Sequence, residues 1–198
     1  MVHAFLILAL GGRPGEDAAG PCRVLYSRAF AAEGPEDGQE QEKARLGQKE
    51  RMLAVARQVE AVCKLQQTVT GKRHPEHLHQ PPEDMLSLQE TPLGVFRLPT
   101  GDPFSEDKTV LWLGVQCLAF ALVCDPDENI MLAESTLRLV VNALLEHLKL
   151  LSSGSNVLLK TDRMEVILGK FLPHGQLLFL NDQFVVGLER ELSAHLGK

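Results

Sequence analysis

The sequence has no excess of basic residues and no long apolar run, and each absence argues against a class of function. Its 198 residues include 20 lysines and arginines against 26 aspartates and glutamates, a formal net charge of −6. A nucleic-acid-binding domain normally carries a basic face, and an anionic bilayer attracts the lysine and arginine clusters that this sequence lacks. A membrane-spanning helix needs ~20 apolar residues, and no run reaches that length. We therefore expect no direct nucleic-acid contact, and membrane association only through a partner.

Cysteine is also scarce, and its positions argue against a disulfide framework. The four cysteines are scattered and show no CxxC spacing; they are Cys22, Cys63, Cys117 and Cys124. A zinc site or a set of disulfides would normally show closer and more regular spacing. We therefore expect reduced thiols in a cytosolic protein.

The opening run MVHAFLILAL resembles the start of a secretory signal peptide, but it lacks the lysine or arginine that normally precedes the apolar segment. Residues 2–10 are apolar at both odd and even positions, which predicts a strand covered on both faces. Residues 22–30 mix arginine and serine with apolar side chains and predict an outer strand. The turn-forming residues between these segments predict an antiparallel hairpin. We therefore interpret the opening run as the first strand and not as an export signal.

Hydrophobic periodicity predicts a sheet covered by helices. The predicted helices lie within residues 43–67, 130–151, 161–175 and 181–196, and Pro173 and Gly175 stop the third of them. The remaining strands cover residues 94–99 and two segments of 108–125 that divide near residues 114–117. Residues 67–93 are rich in proline and histidine without a sustained period, and we interpret them as a flexible insert. The prediction is a single α+β domain over residues 1–198, with five antiparallel strands sandwiched by helices.

Acidic residues at the ends of predicted elements have backbone explanations. Asp125 and Asp127 follow the strand hairpin, where aspartate favours a turn. Asp162 with Glu165 has the spacing of a capping box at the start of a helix. One of residues 181–182 is the predicted cap of the last helix.

No group of residues predicts catalysis, a metal or a cofactor. The stretch HPEHLH brings His74, Glu76, His77 and His79 together, but a proline-rich loop offers neither rigid geometry nor supporting contacts, so we interpret it as a solvated part of the insert. The glycine-rich residues 11–15 lead into a strand and lack the Lys-Ser/Thr ending of a phosphate-binding loop. The G-x-S-x-G motif of a serine hydrolase is absent. The sequence therefore favours a protein that acts by binding.

The stretch FLPHGQLLFLNDQFVVGLEREL is more apolar than a small sheet-and-helix sandwich requires. Two interpretations remain open: these side chains complete the core, or they form a docking face for a larger partner. The candidate partner-docking residues are Phe171, Leu172, Leu177, Leu178, Phe179, Leu180 and Phe184.

The order of elements and several short segments resemble one protein family. MVHAFLILAL, KTVLWLGVQCLAFALVCDPDEN and LRLVVNALLEHLKLL are similar to the first strand, the strand meander with its acidic turn, and the following helix of sigma (small) subunits of adaptor-protein complexes. MLAVARQVEAVC, WLGV, FALV and FLPHGQLLFLNDQFV resemble, more specifically, the sigma subunit of the fifth adaptor-protein complex. The resemblance covers nearly all of the chain except residues 33–44 and 67–93.

This resemblance implies a longin-like fold with strand order 2-1-5-4-3 and a non-enzymatic role without cofactors. The small subunit would dock on a large subunit and stabilise a heterotetramer with zeta, beta and mu subunits. It would act in vesicle transport, peripheral on late endosomes and lysosomes, with spatacsin and spastizin as associated proteins and without clathrin. Other sigma subunits carry an apolar pocket for dileucine cargo signals.

Two alternatives remain at this point. A longin-fold regulator of membrane fusion or tethering, of the SNARE or TRAPP type, would show the same order of elements. It would bind a coiled-coil SNARE or a tethering core instead of a large adaptor subunit. An accessory role in DNA double-strand break repair, with a nuclear pool, is the other alternative, although the acidic charge disfavours direct contact with DNA.

Overall fold

The computed structural model describes residues 1–10, 23–30, 38–70, 88, 91–101, 103–150 and 155–196. The elements in chain order are β1 (Val2–Ala9), β2 (Arg23–Ala29), α1 (Gly38–Thr70), β3 (Leu93–Leu98), β4 (Lys108–Val115), β5 (Leu118–Cys124), α2 (Ile130–Leu148), α3 (Ser155–Leu159), α4 (Thr161–Phe171), a 3-10 turn (Pro173–Gly175) and α5 (Asp182–Leu196). Among these helices, none is both long enough and apolar enough to cross a membrane.

The strands form one antiparallel sheet in the order β2-β1-β5-β4-β3, which confirms the predicted longin-like α+β fold. β1 pairs with β2 on one side and with β5 on the other. Its eight residues are therefore a near-central strand of the sheet, as the opening run predicted. The turn between β4 and β5 lies at Gln116 and Cys117, at the predicted division of residues 108–125.

Helices cover both faces of the sheet, and the side chains of β1 alternate between the two layers. Phe5 and Ile7 belong to the core cluster with α2, α4 and α5, whereas Leu6 and Leu8 belong to the cluster with α1. All four side chains are fully buried. Strands covered on both faces need apolar residues at consecutive positions, which explains why β1 lacks the alternation of a half-exposed strand.

Helix α1 extends beyond the predicted residues 43–67 at both ends. It starts at Gly38 because residues 39–42, which precede the predicted helix, are glutamine and glutamate, and both are good helix formers. At its other end, residues 67–70 continue the helix, and β3 starts at Leu93. The two ends of the predicted insert, residues 67–70 and residue 93, therefore belong to α1 and β3. Most of the residues between them lie outside the described residues.

Helix α2 begins as the acidic turn predicts and ends earlier than predicted. The side-chain Oδ1 of Asn129 accepts a hydrogen bond from the backbone N–H of Leu132 at 3.1 Å, which caps the first turn. The helix stops at Leu148 because Lys149 adopts a left-handed backbone with φ 48°. A short helix, α3, follows and was not predicted.

The two predicted caps of the last helices have different outcomes. The predicted pair of Asp162 and Glu165 is wrong, because α4 begins at Thr161 and Asp162 lies within its first turn. For α5, the Oδ1 of Asn181 accepts from the backbone N–H of Phe184 at 2.8 Å, which confirms a cap at residues 181–182.

Candidate docking surface at the C-terminal end

The candidate docking residues lie on the connection between α4 and α5, which is held against the sheet. α4 packs on α2 and on α5, and the 3-10 turn contacts β1. The turn closes through hydrogen bonds from the N–H of Gly175 to the carbonyl of Leu172 at 3.2 Å and from Gln176 to Pro173 at 3.0 Å. The connection therefore has defined anchors where it leaves α4.

Gly175 allows the 3-10 turn to approach the first strand closely. Its φ is +75°, and a Cβ at this position would lie 2.3 Å from the carbonyl oxygen of Val2 and 2.6 Å from the Cβ of Phe30. His174 also has a left-handed backbone, with φ 52°. Only glycine combines this conformation with so close a contact, so FLPHG makes a sharp bend against β1.

The structure separates the seven candidate residues into core and surface. Phe171 and Leu172 are buried in the core cluster, with 1% and 0% of their surface exposed, so they support the fold from inside. Leu177 and Leu180 are half-buried and pack against the same cluster, and Leu178 is half-buried as well. Phe179 is 89% exposed. Both interpretations therefore apply to different residues of the apolar run: Phe171 and Leu172 complete the core, and Phe179 lies on the surface.

We call Leu178, Phe179 and Phe184 the C-terminal surface. Phe184 is 49% exposed on the first turn of α5, just beyond the cap. The backbone of residues 177–180 forms no hydrogen bond to another described residue. A segment outside the helices and strands can bind a protein partner both through backbone groups that bond to no described residue and through an exposed phenyl ring.

Two ionic contacts connect α4, which precedes this surface, to β2 and to α5. The Nη1 of Arg28 donates to the backbone carbonyl of Glu165 at 3.1 Å, and the same guanidinium lies 2.9 Å from Glu165 Oε2. The Tyr26 hydroxyl donates to the Glu165 carboxylate. Burial and this hydrogen bond raise the pKa of Tyr26 above its usual range. At the outer end, Lys170 on α4 pairs with Glu191 on α5 at 2.6 Å.

A polar cluster around Asp125 was not predicted, because its members are far apart in the sequence. The Asp125 carboxylate lies 3.1 Å from the Met1 amino group, 2.5 Å from His3 Nε2 and 3.1 Å from Lys108 Nζ. Burial opposes ionisation of Asp125, but the hydrogen bonds outweigh it and hold its pKa well below the usual range. The residue therefore connects β1, β4 and β5 besides forming the predicted turn.

The residues considered for metal binding give no site in the described part of the chain. His74, Glu76, His77, His79 and the glycine-rich residues 11–15 lie outside the described residues. Elsewhere, no three His, Cys, Asp or Glu side chains are arranged to hold a metal ion.

The described thiols differ in their surroundings. Cys63 and Cys124 are buried, and Cys117 is exposed in the β4–β5 turn. Burial and the nearby Glu128 carboxylate raise the pKa of the Cys124 thiol to about 12. This thiol is therefore protonated at neutral pH and inert as a nucleophile. The fourth cysteine, Cys22, lies outside the described residues.

Comparison with known proteins identifies the family. The family model for AP-5 complex subunit sigma-1 matches residues 1–193. The human AP-5 complex subunit sigma-1 is 53% identical over 197 residues, which cover 98% of each chain. The mouse AP-5 complex subunit sigma-1 is 51% identical over 155 residues, 77% of this chain and 91% of the mouse protein. These matches confirm the resemblance to adaptor small subunits, and the chain belongs to the AP-5 complex subunit sigma-1 family.

Proposed function

We propose that the chain is a non-enzymatic small subunit that docks on a large subunit of a heterotetrameric adaptor complex through the C-terminal surface, and that it stabilises the complex in this way. Family membership supports the adaptor role. The observation that carries the docking proposal is the 89% exposure of Phe179 on a connection with anchored ends.

The physical argument rests on the cost of leaving such a side chain in water. Burial of a phenylalanine contributes roughly 1.5–3 kcal/mol. Leu177 and Leu180 are packed against the core on both sides of Phe179, so the segment loses little conformational freedom when a partner covers it. Exposed aromatic residues on a preorganised segment are typical anchors of a protein interface.

The proposed partners and place of action follow from the resemblance to the sigma subunit of the fifth adaptor-protein complex. The partners are then the zeta and beta large subunits and the mu subunit, with spatacsin and spastizin as associated proteins. The assembly acts in vesicle-mediated protein transport and lies peripherally on late endosomes and lysosomes. Its membrane association comes from these partners.

The test is co-expression of the chain with each large subunit, followed by size-exclusion chromatography. We expect one large subunit to co-elute with the chain. The double substitution Phe179→Ser, Phe184→Ser should weaken this association about tenfold or more, because two aromatic anchors are lost. The matched control is Leu159→Ser, which changes a side chain that is 78% exposed on α3, outside the C-terminal surface.

Circular dichroism of the variants separates loss of docking from loss of folding. Undiminished association of the folded double variant would contradict docking through the C-terminal surface. A chain that remains a folded monomer with every large subunit would contradict the adaptor role itself.

A further inference from the structure

One flank of α1 carries a row of exposed residues that belong neither to the core nor to the C-terminal surface. Helical spacing of 3.6 residues per turn places six residues on one side of the helix. Leu46 and Leu53 in this row are 55% and 43% exposed. We call the row the leucine strip, and it consists of Glu42, Leu46, Lys49, Glu50, Leu53 and Arg57.

The leucine strip is exposed because its first four residues precede the core-facing part of α1, and Leu53 and Arg57 face away from the sheet. The 33 residues of the helix span about 50 Å, whereas an eight-residue strand spans about 27 Å. The core residues of α1 begin at Met52 and end at Cys63. The turns before Met52 therefore extend past the core.

The four charged residues of the leucine strip are two acids and two bases, and none forms an ion pair with a described residue. The cations Lys49 and Arg57 and the carboxylates Glu42 and Glu50 flank the two leucines. A strip without net charge does not attract an anionic bilayer. It suits another helix with leucines and charges of both signs.

We infer that the leucine strip binds the same strip of a second copy of the chain, with the two α1 helices antiparallel. In this arrangement Leu46 of each copy faces Leu53 of the other, and every facing charge has the opposite sign. The facing pairs are Leu46 with Leu53, Lys49 with Glu50, and Glu42 with Arg57, each formed twice.

The order of the charges favours an antiparallel pair of helices over a parallel pair. A parallel pair in register would place each charge opposite its own copy, which is repulsive. The antiparallel pair is a two-fold symmetric contact of a surface with itself, the commonest geometry of protein dimers. It uses the layer of the sheet opposite α2, α4 and α5, so the C-terminal surface stays accessible to an adaptor subunit. The contact goes beyond the proposed function, because it would join two small subunits that each hold their own large partner.

The contact area is limited to about two helical turns on each side of the symmetry axis. A stable dimer usually buries ~800 Å² per partner, and smaller interfaces form weak or transient complexes. We therefore expect a concentration-dependent equilibrium between monomer and dimer.

The test uses charge reversal in the full chain, with sedimentation velocity over a range of concentrations. If the chain needs its large subunit to stay in solution, the same measurement is made on the pair. Lys49→Glu turns both facing pairs of residues 49 and 50 into two carboxylates, and Glu50→Lys turns both into two ammonium groups. Each variant should dimerise about tenfold more weakly, since facing like charges repel.

Two combinations make the result specific. An equimolar mixture of the Lys49→Glu and Glu50→Lys variants should recover dimerisation, because every facing pair again has opposite charges. The double variant Lys49→Glu, Glu50→Lys should recover it by itself. Arg51→Glu is the matched control, since Arg51 is exposed on another side of α1, and it should leave the dimer constant within about twofold.

Three results would overturn the inference. The first is a wild-type chain that stays monomeric at every concentration. The second is a mixture that dimerises no better than its separate components. The third is binding to phosphatidylserine vesicles that Lys49→Glu weakens and Glu50→Lys strengthens, without dimerisation, because this would assign the strip to a bilayer.

Discussion

Asp125 shows how one side chain can connect strands that are distant in the sequence. Its carboxylate accepts from Met1 and His3 at the start of the chain and from Lys108 at the start of β4. Lys108 is buried except for 9% of its surface. Burial disfavours its charged form, but hydrogen bonds to Asp125 and Glu106 outweigh this and raise its pKa. The ionised Asp125 thus supports a partly buried cation.

The depressed pKa of Asp125 predicts a pH dependence of stability. Because the folded state holds the carboxylate ionised more strongly than the unfolded chain, its contribution is complete above the ordinary value of 3.8 and is lost as the pH falls through the lower folded value. Asp125→Asn should reduce the free energy of unfolding by about 1–2 kcal/mol at pH 7, a value discounted for its 35% exposed side chain. The difference from wild type should shrink below about pH 4, as measured by urea unfolding.

Asp127→Asn is the control, because Asp127 is exposed and forms no ion pair with a described residue. It should change the free energy of unfolding by less than about 0.5 kcal/mol, both at pH 7 and below about pH 4. A difference between wild type and Asp125→Asn that stays constant down to pH 2 would contradict the assigned role of the carboxylate.

At the scale of elements, the 3-10 turn decides how the C-terminal surface is presented. Gly175→Ala should lower the free energy of unfolding by about 2–5 kcal/mol, from the left-handed backbone and from overlap with Val2 and Phe30. Urea unfolding measures the change. The large subunit should also bind this variant more weakly, because the segment that carries Phe179 must shift.

Gly169→Ala is a matched control within α4. Gly169 is exposed in the helix, and a Cβ there meets no atom within 4 Å. This variant should be more stable by about 0.5–1 kcal/mol, because alanine is the better helix former. Equal effects of the two substitutions would show that the close approach of the 3-10 turn is unimportant.

The type and order of elements could be predicted where a periodic apolar pattern meets a clear turn, as in the β4–β5 hairpin and α2. The ends of α1 could not, because polar helix formers continue the helix without any apolar signal. In the candidate site, Phe171 and Phe179 belong to one apolar run, yet one is buried and the other exposed. The left-handed residues His174 and Gly175 redirect the chain between them. The Asp125 cluster depends on tertiary contacts that no local pattern contains.

At the scale of the whole molecule, β1 joins the two helical layers. Leu6 faces the α1 layer and Ile7 faces the layer of α2, α4 and α5, and both are fully buried. Ser27 and Ala121 flank Leu6 in the neighbouring strands. Since β2 is attached to the sheet through β1, damage to this strand affects the edge of the sheet as well as its centre.

Leu6→Asp and Ile7→Asp should therefore each unfold most of the chain. A carboxylate without a partner in either layer costs about 4 kcal/mol or more, a large part of the stability of a domain. Far-UV circular dichroism and thermal unfolding measure the loss. Leu65→Asp is the control, because Leu65 is 65% exposed on α1 and lies outside the leucine strip; it should melt close to wild type. Cooperative unfolding of Leu6→Asp near the wild-type temperature would show that the α1 layer is dispensable.

The two layers also carry separate optical reporters. The chain has one tryptophan and one tyrosine; Trp112 is buried beneath α1, and Tyr26 lies in the other layer, bonded to Glu165 of α4. Tryptophan fluorescence therefore follows the α1 side of the sheet, and tyrosine absorbance follows the α4 side, without any label. Coincident transitions of the two signals would indicate two-state unfolding, whereas an earlier change of one signal would identify the layer that detaches first.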